Sequence, residues 1–177
     1  MPDLLNRPQD VGVIIGVITK ATERVPQLGK TQFQKLVYFL QESGVPLGFK
    51  YVIYHYGPYS FDLSNAMDTL DTLKVINIDT DEAGYGFHIR AGQFSNNFPP
   101  SAEYAGKIDE MLAKLGNLRP AELEVKATLH FVKKVLEKKG RTDRSAVVEK
   151  VKALKPRFET EFIEACYDSM TDAGLIN

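Results

Sequence analysis

The 177-residue chain has only one cysteine, Cys166, which excludes an intrachain disulfide and a cysteine-cluster metal site. A lone thiol fits a reducing compartment. The three histidines, His55, His88 and His130, never pair at helical spacing and have no cysteine beside them, so no zinc ligand set is expected, nor any cofactor. An excess of charge is also missing. The 22 Lys and Arg nearly balance 23 Asp and Glu, and a net charge of −1 rules out steering by the whole molecule's field. Long apolar runs are absent. The longest, "VGVIIGVI" from Val11 to Ile18, is far too short to cross a bilayer. The opening "MPDLLNRPQD" lacks the apolar core of a secretory signal. The expectation is a soluble cytoplasmic protein with no membrane partner, long enough to bury a real core.

What is present reads as mainly α, in an α+β fold. Asp10 is placed to cap a helix from Val11 to about Ala21, and Thr31 to cap a second that stops at Gly44. In the second, Phe33, Leu36, Val37 and Leu40 form an apolar stripe, with Lys30 and Lys35 off it. "YVIYHY", Tyr51 to Tyr56, reads as a strand that Gly57-Pro58 ends. Ser60 then caps a helix whose first turn holds Asp62 and whose buried face is Leu63, Ala66, Met67, Leu70 and Leu73. "KVINID" and "YGFHIR" alternate as two strands around the turn "TDEAG". Helix, helix, strand, helix, hairpin is the order of a winged-helix-like unit. This gives a winged-helix-like unit over 1–91, a turn-rich linker over 92–101 ("GQFSNNFPPS"), and a helical part over 102–177 that either stands as a second domain or packs with the first as one. The last is expected as four helices: Ala102 to about Leu115, Pro120 to near Gly140, Asp143 to Leu154, and Glu159 to Ala173. A short echo links Leu63, Ala66, Met67, Leu70 before "KVIN" with Ile163, Cys166, Tyr167, Met170 before "GLIN".

Lys35-Leu36 with Tyr38-Phe39, then Tyr56-Gly57-Pro58-Tyr59-Ser60, then Leu70 and Val75-Ile76, form a pattern that resembles the YwgA-like proteins. It resembles, more distantly, the Panacea domain of SocA-type antitoxins. The C-terminal "VKALKPRFETEFIEACYDSMTDAGLI" is similar to the YwgA-like group as well. That group is bacterial and archaeal and largely uncharacterised, so the likeness implies little about activity. The Panacea resemblance implies neutralisation of a toxin by direct contact, or an adaptor role.

No stretch spells out a reaction. "LGKT", Leu28 to Thr31, ends like a phosphate-binding loop but has Arg24 where the first glycine belongs. Ser60, His55 and Asp62 could be drawn as a catalytic set, yet a serine that caps its own helix is poorly placed to attack, and the Gly-x-Ser-x-Gly elbow is absent. The expectation is therefore a non-enzymatic regulatory or interaction protein. Its partner face would be Tyr56 and Tyr59 with the acidic Asp62, Asp68 and Asp71, joined by Asp79, Asp81 and Glu82 of the wing, and would suit a basic protein or a toxin. Those carboxylates would repel phosphate. The alternative is a nucleic-acid-binding transcriptional regulator. Residues 126–157 hold eleven bases against three acids, about +8, with Lys133, Lys134, Lys138, Lys139, Arg141 and Arg144 as the contact set. A third reading is an enzyme of unknown class.

Overall fold

The computed structural model describes residues 7–80, 86–141 and 143–177. The turn residues Asp81 and Glu82 lie outside the described residues. Elements follow in the order α1 (Pro8–Arg24), α2 (Lys30–Glu42), β1 (Val52–Tyr54), β2 (Gly57–Tyr59), α3 (Phe61–Thr72), β3 (Ile76–Thr80), β4 (Phe87–Ala91), α4 (Ala102–Leu115), α5 (Pro120–Glu137), α6 (Arg144–Leu154) and α7 (Thr160–Asp172). A 3-10 turn, Ser95–Asn97, precedes α4. The fold is a mainly helical α+β one, with two small antiparallel hairpins, β1–β2 and β3–β4. Among the described residues, no helix is long and apolar enough to cross a membrane.

Helix α2 lies at the centre. Residues Gln32 to Leu40 are all buried, and the helix packs on α1, α4, α5, β2 and β4. Full burial of Leu36, Val37 and Leu40 contributes roughly 1.5–3 kcal/mol each. The expected one-sided stripe is thus a correction: Lys35 is inside too, 1% exposed. One connected core draws on α1, α2 and α3 as well as on α4, α5, α6 and α7. On α1 the glycines of "VGVIIGVI" let the chain before α4 approach closely. A Cβ on Gly12 would sit 2.5 Å from the Pro99 carbonyl oxygen.

Several local expectations change. Helix α1 starts at Pro8, whose fixed φ suits a first turn, so Asp10 lies inside the helix and its carboxylate pairs with Arg7 at 2.9 Å. Gly29, not Thr31, caps α2; the Gln32 side chain reaches back to accept from the Gly29 amide at 2.8 Å. Gly57-Pro58 does not end a strand but begins one. His55 and Tyr56 make the turn, and Val52, Ile53 and Tyr54 face Tyr59, Pro58 and Gly57. Leu73 follows α3 and is exposed rather than buried. Other readings hold: Ser60 Oγ accepts the Leu63 amide at 3.2 Å and α4 spans Ala102–Leu115, while α6 begins one residue later than expected, with Asp143 as its cap accepting the Ala146 amide at 2.8 Å.

The echo between the ends of α3 and α7 has a physical cause. Both close with a left-handed residue, Lys74 (φ 57°) and Gly174 (φ 65°). Val75 then donates to the Leu70 carbonyl, and Leu175 to the Met170 carbonyl, each at 2.9 Å. This is the Schellman closure, with an apolar residue following the turn.

Candidate functional site

The hairpin β1–β2 sits on α2 and α5, and buried polar groups fix it there. Pro58, on its inner face, is buried, and Ile53 beside it is half-buried. Lys35 Nζ donates to the Pro58 carbonyl at 2.9 Å. Gln34 takes Ser60, just past β2, at both backbone groups: its Oε1 accepts the Ser60 amide at 3.0 Å and its Nε2 donates to the Ser60 carbonyl at 2.9 Å. Lys155, which follows α6, donates to the His55 carbonyl at the turn. Gly57 adopts φ 87°, and a Cβ there would lie 2.7 Å from Thr128 Oγ1 on α5. Only glycine allows both the dihedral and the contact.

A charged cluster lies behind this hairpin. Glu124 on α5 is 4% exposed, and Lys155 also 4%. Lys155 Nζ stands 2.9 Å from Glu124 Oε1, and Arg157 pairs with Oε2. Oε1 accepts no hydrogen bond of good geometry, so Lys155 holds it by charge alone. Burial pulls the Lys35 ammonium down to about 8, Glu124 partly restores it, and Lys155 lowers it again. Burying this many charges is costly, and the cluster survives only because each cation finds a carboxylate or carbonyl.

The cluster opens on one side into a cleft of about 390 Å³ lined by Tyr56, Glu124, Arg157 and Phe158, with Thr31, Pro120 and Ala121 at its edge. The Arg157 guanidinium lies 5.4 Å from the Tyr56 ring centre and 4.8 Å from that of Phe158. Thr31 is in the first turn of α2, and Pro120 and Ala121 begin α5. Two positive helix ends, an arginine and two aromatic rings therefore share one cleft, above a carboxylate. That combination suits an anion joined to a flat ring system.

A second polar cluster lies on the far side of α5. Tyr38 Oη and His130 Nδ1 are 2.8 Å apart, beside a cavity of about 290 Å³ lined by Phe39, Glu42, Lys107 and His130. Burial lowers the His130 pKa and raises that of Tyr38. Cys166 is buried and its thiol is pushed up to about 11, which keeps it protonated and a poor nucleophile.

The structure scatters the sites expected from sequence. Tyr56 is exposed and belongs to the cleft; Tyr59 is half-buried on the other face of the hairpin. On α3, Asp68 pairs with Lys30 at 2.8 Å, and Asp71 accepts the Ile78 amide at 3.0 Å, which leaves Asp62 without either tie. On the wing, Asp79 pairs with Arg90 at 2.7 Å. The basic stretch does not form one open face. Lys126, Lys133 and Lys155 are buried, Lys134 pairs with Glu42, and Arg144 pairs with Glu164 and Asp168. Lys138, Lys139 and Arg141 remain exposed. Lys35, Glu124, Lys155 and Arg157 were missed as a group. Helical periodicity gives no warning that charged residues will be buried, and Lys35 was visible only in the family-like pattern.

No family model matches the chain. Over 160 residues it is 26% identical to a DNA ADP-ribosyl glycohydrolase of Thermus aquaticus. The match covers 84% of this chain and 42% of the Thermus protein, so the chain spans less than half the length of that relative. The finding overturns the expectation of a protein that is not an enzyme. The readings as a non-enzymatic interaction protein and as a transcriptional regulator fall with it, because the relative is named for a hydrolysis carried out on DNA.

Proposed function

We propose that this chain acts in the hydrolysis of ADP-ribose from DNA, as one part of the machinery that such a glycohydrolase comprises, with the Tyr56–Arg157 cleft as its ligand site. The observation that carries the reading is the likeness over 84% of the chain to an enzyme of that name. The cleft supports it. ADP-ribose joins a diphosphate to an adenine ring, and the cleft offers Arg157 and two helix N-termini for the former, and Tyr56 and Phe158 for the latter.

In this reading the diphosphate draws Arg157 off Glu124 and leaves Oε2 free. The carboxylate takes a proton from water as the water oxygen bonds to the anomeric carbon of the terminal ribose. The bond from that carbon to the nucleobase breaks, and the base keeps the electron pair and takes up a proton. Lys155 stays beside Oε1 and fixes the carboxylate's position.

The YwgA-like resemblance belongs to the same proposal. Lys35 and the Tyr56–Ser60 pattern are the residues that seat the hairpin forming one wall of the cleft. The partner is then modified DNA, and the compartment is the cytoplasm of a prokaryote, where that DNA lies. The test is release of ADP-ribose from an ADP-ribosylated oligonucleotide, followed by chromatography. Release by the wild type, and a loss of about 100-fold or more in Glu124→Gln with its circular dichroism unchanged, supports the reading. Absence of release, or full activity in Glu124→Gln, refutes it.

A further inference from the structure

The outer face of the β1–β2 hairpin is uncovered. Val52, Tyr54 and Phe61 are 48%, 47% and 54% exposed, and Tyr59 stands half-buried among them. Register puts Val52 opposite Tyr59, so the tyrosine at 54 falls on the same face as both. The Tyr54, Tyr59 and Phe61 rings meet mostly edge to face, with centres 5.0 to 5.6 Å apart. The His55 ring lies against Tyr54 at 4.3 Å. Protein interiors bury such clusters, and soluble surfaces rarely carry them without a use.

We infer that this aromatic face is a stacking platform for unpaired bases of a DNA strand, running from the cleft across the hairpin. The inference rests on the proposed action on ADP-ribosylated DNA and names the surface that receives the strand. Three observations choose this occupant. Tyr54 and Phe61 are aromatic and about half exposed, so each presents ring surface on which a base can stack, which an aliphatic partner does not need. The platform is continuous with the cleft, because Tyr56, which lines the cleft, is the turn residue between the two strands. Its flank offers a cation to phosphate: Lys50 is exposed just before β1, against the half-buried Asp62, while Arg157 beside Tyr56 is paired with Glu124. Asp68, further along α3, is already neutralised by Lys30. Bases inside a duplex have no free faces, so the platform selects single strands or flipped-out nucleotides.

The test is fluorescence polarisation of an end-labelled single-stranded oligonucleotide at low salt, with the same sequence as a duplex for comparison. The wild type should bind the single strand more tightly than the duplex. Tyr54→Ala and Phe61→Ala should each weaken it about five-fold or more, and Tyr54→Phe, which keeps the ring, should bind like the wild type. Both alanine changes are at half-exposed positions, and circular dichroism verifies that the fold is retained. Equal binding of single strand and duplex, or alanine variants that bind as the wild type does, overturns the platform even if ADP-ribose is released. If no ADP-ribose is released but single-strand binding still falls with the alanine changes, the platform stands and the hydrolysis reading falls.

Discussion

Gly57→Ala probes the seat of the hairpin most sharply. Two costs add. The φ of 87° is outside the range an alanine adopts easily, and left-handed backbone costs roughly 1–2 kcal/mol. The new Cβ also lands 2.7 Å from Thr128 Oγ1 and 3.3 Å from the Glu124 carbonyl oxygen. Thr128 cannot turn away freely, since its hydroxyl donates to that carbonyl at 2.7 Å and it is fully buried. Overpacking of this kind costs roughly 1–3 kcal/mol. The sum is about 3 kcal/mol. With a urea slope of about 2 kcal/mol per molar, the midpoint should fall by about 1.5 M. Thr128→Ala in the same background removes the closest atom and should recover about 1–2 kcal/mol of coupling, while the dihedral cost stays. A midpoint for Gly57→Ala within about 0.3 M of the wild type would refute the claim that the hairpin is pressed against α5.

Other outcomes follow from the same structure. Lys74→Gly relieves a left-handed residue at the end of α3 and should stabilise by about 1 kcal/mol, raising Tm by about 2–4 °C; an unchanged or lower Tm counts against the Schellman closure. Lys35 has its pKa pulled from 10.5 down to about 8, so between those values the unfolded chain holds a proton that the folded chain has lost. Its contribution to stability therefore rises with pH from about 8 to about 10.5, by at most about 3 kcal/mol. Across that window the wild type should gain stability relative to Lys35→Met by up to this amount in urea curves, and a constant difference would exclude a buried, depressed lysine. Arg144→Ala removes an exposed pairing with Asp168 and Glu164 that solvent screens, and should lower Tm only slightly. A larger loss would mean that α6 and α7 depend on this contact.

Much of the fold was legible because caps and breakers are local. Ser60, Asp143, Pro120 and Gly116 mark helix ends with side-chain or dihedral chemistry that needs no tertiary knowledge. The hairpin at Gly57 was misread because Gly-Pro usually breaks a strand, and here tertiary partners reverse that preference. Lys35, Gln34 and Lys155 take the carbonyls and the amide that a sheet would otherwise pair. The cleft was hidden for a related reason. Its residues come from the turn after β1, the first turns of α2 and α5, and the loop after α6, so no window of sequence contains it. The basic run over 126–157 misled in the opposite way. Lysines close in sequence suggested one face, but folding buries three of them and pairs others. The aromatic content of "YHYGPYSFDL" was plain, yet only the register shows that Tyr54 and Tyr59 share the open face while Tyr56 turns to the cleft.

Action on ADP-ribosylated DNA is measured most directly by a time course of release at limiting protein. An ADP-ribosylated oligonucleotide in excess is incubated with the purified chain, and free ADP-ribose is quantified against the same reaction with Arg157→Ala. More than one ADP-ribose should be released per chain, with a slower course when Arg157 no longer meets the diphosphate. A wild-type course indistinguishable from buffer, with the oligonucleotide still modified at the end, would contradict this activity.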